Sequence, residues 1–250
     1  NNEEQFIYSV DKFADVENNS NPLYENDRRK LNTPNNLRGS STIIKYLNSK
    51  NDPRVGVYFE KAQGLYTGLP QGGYTLGSSW TPKTSRAMLG ATDAVYLMSA
   101  AESYFLQAEC YARANNSVKA KTNYDLGVTA AFERWGLDAS SFIATAGAYE
   151  FNVSNQTTML ESIWRQKWIA SVRSQAWDSF LEINRTGYPV YGTVNSVNAA
   201  YVVGQLAPAI NSVLPTGEYP RRLIYPKSST DYNPNAPVSI PMQTKMWWHK

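Results

Sequence analysis

Between residues 158 and 189 the apolar positions fall into two helical patterns that share one stop. The segment reads TMLESIWRQKWIASVRSQAWDSFLEINRTGYP. Leu160, Trp164, Trp168 and Val172 recur every fourth residue, which at 3.6 residues per turn sets them along one stripe and predicts a buried helix face. Thr158 with Glu161 three residues on has the form of a capping box, so this helix is expected to begin near Met159. Trp177, Phe180, Leu181 and Asn184 repeat the spacing in a second helix, with the bend at Arg173 to Gln175. Gly187 tolerates a left-handed cap and Pro189 cannot continue a helix, so the pattern ends there. Trp164, Trp168 and Trp177, on regular helix faces, are expected in the core, as is Trp135.

A second pair of helices lies upstream. Ala101, Tyr104, Phe105, Ala108, Tyr111 and Ala112 follow helical spacing, and Ala114 to Ser117 make a short polar turn. Tyr124, Val128, Ala131, Phe132 and Trp135 line the next helix. Gly127 and Ala131 let a neighbour approach closely, and Gly136 caps the end. Two antiparallel helices in about 35 residues resemble a single tetratricopeptide-type unit, which buries its apolar face by stacking on others.

Elsewhere the helical period is lost. From Asn1 to Thr92 glycine and proline alternate with aromatics, most densely in KAQGLYTGLPQGGYTLGSSWTPKT at 61–84. Only Ser40 to Asn48 reads as a short helix, through Thr42, Ile43, Ile44, Tyr46 and Leu47, and Pro53 then turns the chain. Residues 190–219 are irregular, with short-strand fragments around Tyr191 and Tyr201. The expected architecture is mainly α: tetratricopeptide-like hairpins, a large irregular loop region and a few short strands. A single region over 1–250 is expected, with a loop-rich, ligand-binding part at 1–96 and a helical framework with returning loops at 97–250.

Composition narrows the chemistry. The 250 residues are 42% hydrophobic and carry a net charge of +3. The basic residues are scattered singly or in short clusters, such as Arg28–Lys30 and Arg221–Arg222, which reads as solvated surface and argues against nucleic-acid binding. One cysteine and one histidine supply neither a disulfide nor a zinc site. Cys110, inside a helical pattern, is expected as a small packed side chain, and His249 as a frayed terminal residue. No cofactor or metal is implied.

The run QKWIAS at 166–171, Trp177 and NRTGYP at 184–189 together resemble the signature of SusD/RagB-type nutrient-binding lipoproteins of the Bacteroidetes outer membrane. NDPRV at 51–55, LMSAAESYFLQAECYAR at 97–113, AAFERWG at 130–136, PRRLIYP at 220–226, Asn-Pro-Asn-Ala at 233–236 and the terminal KMWWHK agree in order. The pattern departs at Ser228 and Ser229, where relatives place a glutamate, and at Asn184, where many carry a second arginine. The resemblance maps onto roughly the C-terminal half of such proteins. It implies a non-catalytic receptor on the extracellular face of the outer membrane, one that binds an oligosaccharide or related nutrient and delivers it to a SusC-type TonB-dependent transporter. It also implies that membrane contact comes through a lipidated N-terminal cysteine, which this sequence does not contain.

The residues themselves point to binding. Sugars present flat apolar faces edged with hydroxyls, so their receptors offer aromatic platforms flanked by amide and hydroxyl groups. Tyr58, Tyr66, Tyr74 and Trp80, interleaved with Gln71 and other polar residues on a glycine-rich backbone, have that vocabulary and are the candidate ligand-binding residues. Tyr58 and Tyr66 fit equally well as anchors of the loop on the helices. Arg221 and Arg222 are expected to bond backbone carbonyls, and Trp247 and Trp248 to tuck against the body. Peptide binding and a glycosidase remain alternatives. The latter would need two carboxylates about 5–10 Å apart across a cleft, whereas Asp178 and Glu182, four apart on one helix, read as ordinary carboxylates of a solvated face.

Overall fold

The computed structural model describes residues 13–30, 36–73 and 81–249. α1 (Pro22–Tyr24) runs into a π-helical stretch, Glu25–Lys30. α2 (Ser41–Ser49) and the one-turn α3 (Val55–Tyr58) follow. α4 (Ala100–Arg113) and α5 (Ser117–Glu133) form the expected hairpin. The one-turn α6 (Ser140–Ile143) leads to α7 (Gln156–Ala170), α8 (Ala176–Thr186) and the short α9 (Lys227–Tyr232). In place of short strands, the described residues carry only isolated bridges, Tyr191 with Leu206 among them. Pro70, Gly68 and Gly192 beside these bridges explain why pairing does not extend.

The α4–α5 hairpin is the centre of the core. Ser99 Oγ caps α4 by accepting the Glu102 N–H at 3.2 Å, and Asn116 Oδ1 caps α5 through the Lys119 N–H at 3.1 Å. Phe105, Ala108 and Ala112 meet Tyr124, Val128, Ala131 and Phe132, all buried. A Cβ on Gly127 would lie 2.6 Å from the Phe105 ring. Gly127→Ala is therefore expected to lose about 1 kcal/mol in urea denaturation, the helix-propensity gain of alanine being outweighed by overpacking against a ring with no room to retreat. α7 lies across both helices.

α7 starts three residues earlier than expected. Asn155 is its N-cap: its side chain accepts the Thr158 N–H at 3.0 Å, while Thr158 Oγ1 accepts the Asn155 N–H at 3.2 Å. Thr158 is thus the third helical residue of a capping box, not its first member. Asn155→Ala should cost about 1 kcal/mol, read as a lowered melting temperature. The every-fourth-residue stripe also drifts, by about 40° per step. Leu160 and Trp164 stay buried, while Trp168 and Val172 rotate to the margin, and Met159, Ile163, Gln166 and Ile169 complete the inner face.

Trp177 is a clear correction, since it is 80% exposed rather than core. Phe180 and Leu181 are exposed as well, and Trp177 meets Phe180 edge to face. α8 is held instead by polar contacts: Glu182 pairs with Lys167 at 2.8 Å, Arg185 with Glu109 at 2.8 Å, and Asn184 is fully buried. Burial pushes the Glu109 carboxyl up, but bonds from Arg185 and Arg113 outweigh it and hold the group below the usual carboxylate range. Gly187 caps α8 with φ +71°, as expected. The bend before α8 is tied down by Arg173, which donates to the Val57 carbonyl at 2.6 Å and to Asp93 and lies over the Trp135 ring.

Arg54, from the Asn-Asp-Pro-Arg turn, joins the loop region to the helices. Its fully buried guanidinium donates to both carboxylate oxygens of Asp52, at 3.0 and 2.6 Å, and to Gln166 Oε1 at 3.1 Å, and it lies 4.2 Å from the centre of the Phe132 ring. Tyr149 donates to the same carboxylate at 2.6 Å. Burial, then the Asp52 charge, pushes the Tyr149 hydroxyl up, so it keeps the proton it donates. One core cluster accordingly runs from Ile43, Leu47, Val55 and Tyr58 through the hairpin to α7.

Four smaller expectations are corrected. Cys110 is exposed, because its position on α4 faces away from α5. Trp247 is 93% exposed, while Trp248 packs against His249, whose Nδ1 accepts the Met246 N–H at 3.0 Å in a closed turn rather than a frayed end. At Arg221 and Arg222 the backbone N–H groups bond the Met242 carbonyl, and the Arg221 guanidinium stacks on Tyr219. Among the described residues no helix is long and apolar enough to cross a membrane.

Candidate functional site

The candidate residues of the 58–80 segment separate. Tyr58 and the buried Val55 share one face of α3, and this turns the Tyr58 ring into the core edge-on to Trp135 and Phe59, with no exposure. It is a packing residue, and the expectation of a ligand platform there is corrected. Tyr66 is half-buried. Its hydroxyl lies over Gly56, where a Cβ would approach to 2.9 Å, Lys61 stands over its ring, and its carbonyl accepts from Asn48 Nδ2 at 3.1 Å. Gln71 is exposed at a turn, and its carbonyl accepts the Ile210 N–H at 2.9 Å, which fastens the loop to the 190–210 segment. Tyr74 and Trp80 lie outside the described residues.

A second concave region, which sequence reasoning missed, sits on another face of α2. Tyr46 and Asn48 are two residues apart and so about 200° apart around the helix. Asn48 faces the Tyr66 loop, and Tyr46 faces an open cleft of about 500 Å³ between α2, the 148–152 turn and α7. Arg165 organises its wall: the guanidinium lies 4.8 Å from the Tyr46 ring centre and 4.6 Å from that of Tyr188, and donates to the Gly204 carbonyl and, at 2.8 Å, to the Tyr188 hydroxyl. Trp168 packs edge-on against Tyr46, with centroids 6.1 Å apart. Burial pushes the Tyr46 hydroxyl up, with Arg165 pulling the other way. Lys50, Glu150, Asn152 and Glu161 supply charged and amide groups at the rim. Tyr46 read as one more apolar position of a helix and Tyr188 as part of a terminal motif; only the tertiary meeting with Arg165 sets them apart.

The carboxylate pair on α8 is not arranged for acid–base work. Glu182 is committed to ion pairs with Lys167 and Arg185, and the small hollow that both carboxylates border, about 20 Å³, is no larger than a water molecule or so.

The architecture is a helical hairpin scaffold that carries long loops and an aromatic-walled cleft. The chain belongs to the SusD-like family described as "Starch-binding associating with outer membrane", whose pattern it matches over residues 1–226. Solved structures agree. A SusD homolog from Bacteroides thetaiotaomicron is 25% identical with a TM-score of 0.65, over 84% of this chain and 51% of its own. One from Bacteroides vulgatus is 26% identical with a TM-score of 0.61, over 78% of this chain and 44% of its own. One from Bacteroides uniformis, 24% identical, shares the fold at a TM-score of 0.67 over 98% of this chain and 55% of its own. The chain thus spans about half the length of these relatives. No curated protein matches it.

Proposed function

We propose that this chain forms part of a non-catalytic glycan receptor. In this function the receptor holds an oligosaccharide at the outer face of the outer membrane and passes it to a SusC-type TonB-dependent transporter, the full-length protein being tethered by an N-terminal lipid. The match to a starch-binding, outer-membrane-associating family over residues 1–226 carries the proposal. The site geometry supports it: Tyr66 and Gln71 sit on a loop fastened to the scaffold through Asn48 and Ile210, so an aromatic ring and an amide group are offered from a fixed base. The ion-paired state of Glu182 speaks against a glycosidase on α8.

A glycan array that includes maltooligosaccharides, run beside a peptide pool and a turnover assay on the same sugars, tests the function. Retention of glycans without cleavage is expected. Retention of peptides with a blank glycan array would replace the glycan with a protein-derived nutrient, and sugar turnover would replace the receptor with an enzyme.

A further inference from the structure

We infer that the cleft walled by Tyr46, Arg165 and Tyr188 is a second binding site, distinct from the 58–80 segment, for a neutral hydroxyl-rich ligand such as a short oligosaccharide segment. The ligand class rests on the glycan-binding function proposed above; the place is set by the cleft itself.

Its volume of about 500 Å³ lies within the range of roughly 300–1,000 Å³ typical of small-molecule sites. The aromatic wall is fixed in advance, because one guanidinium is held between two tyrosine rings and tied to the Gly204 carbonyl and the Tyr188 hydroxyl. A ligand therefore meets little ordering cost there. Polar groups around the wall are uncommitted. The side chains of Glu161 and Lys50 make no ion pair or hydrogen bond with the described residues, and the Asn152 side chain spends only its Oδ1, on the Ser154 N–H at 3.0 Å. Beneath them Gln166 also borders the cleft. It is 1% exposed; its Oε1 accepts from Arg54, and its Nε2 has no partner.

Charge selects among ligands. Lys50 and Arg165 balance Glu150 and Glu161, so an anion would meet two carboxylates and a cation two basic groups. An apolar guest would strip water from Glu161 and Lys50 without replacing its hydrogen bonds. A sugar satisfies all of these at once, with ring faces on tyrosine and hydroxyls that both donate and accept.

Amide chemical-shift mapping of the 15N-labelled chain with maltoheptaose as probe tests the inference. Shifts are expected at 46–50, 148–152 and 158–166 in addition to those at 66–80. In Trp80→Ala the cleft shifts should persist while the loop shifts vanish. In the double variant Glu161→Ala with Asn152→Ala, and separately in Lys50→Ala, the cleft affinity should fall about tenfold with the loop shifts unchanged. None of these three side chains supports the core, so an unchanged melting temperature is the folding control. Shifts confined to 66–80, or cleft shifts undiminished in both variants, overturn the second site and leave the glycan receptor standing. Shifts at neither place overturn both.

Discussion

Arg54→Ala is expected to destabilise the protein by about 3–5 kcal/mol and to lower the melting temperature by roughly 10 °C. The substitution removes the only cation that faces the fully buried Asp52 carboxylate among the described residues, leaving that charge with the Tyr149 hydroxyl and one backbone N–H. It also removes the group that covers Phe132 and bonds Gln166. The charge and volume contributions can be separated. Arg54→Ala combined with Asp52→Asn leaves no buried ion but keeps the cavity, so it should recover the charge part of the loss. Equal melting temperatures for the single and double variants would show that the cost is cavity formation alone.

Trp80→Ala is expected to weaken oligosaccharide binding by about 30-fold, with Tyr74→Ala close behind, at unchanged melting temperature. An aromatic anchor at the centre of a contact is worth about 2 kcal/mol or more on truncation, and 1.4 kcal/mol is a factor of ten. Tyr58→Ala makes the contrast. Its ring is in the core against Trp135 and Phe59, so its loss should cost about 3–5 kcal/mol of stability. Any effect of Tyr58→Ala on binding should then follow from unfolding. Isothermal titration paired with thermal melts of the three variants separates the two behaviours.

The hairpin was legible in the sequence because each clue has a local cause. Ala108, Ala112 and Ala131 set the spacing, the polar residues 114–117 turn the chain, and Gly127 admits the Phe105 ring, so periodicity and geometry agree without reference to the rest of the chain. α8 shows where local pattern fails. Trp177, Phe180 and Leu181 have helical spacing, but spacing alone does not say which face a helix turns inward. Here that choice is made by the ion pairs of Glu182 and Arg185 with α7 and α4. α7 misled by one turn because Asn155 and Thr158 can each begin a capping box, and the choice depends on how the preceding loop delivers the chain. The candidate site was legible only as vocabulary. Tyr58 and Tyr66 stand eight residues apart among similar neighbours, yet one enters the core with α3 and the other stays at the surface. The Tyr46–Arg165–Tyr188 wall draws on residues 119 and 23 positions apart, which no local pattern connects.

A receptor of this kind holds a sugar and releases it unaltered. Calorimetric titration with maltooligosaccharides, followed by mass measurement of the recovered sugar, tests this directly. A saturable heat that Trp80→Ala reduces is expected, with recovery of the sugar at its original length. An absence of saturable heat, or a sugar shortened after contact with the protein, would contradict a non-catalytic glycan receptor.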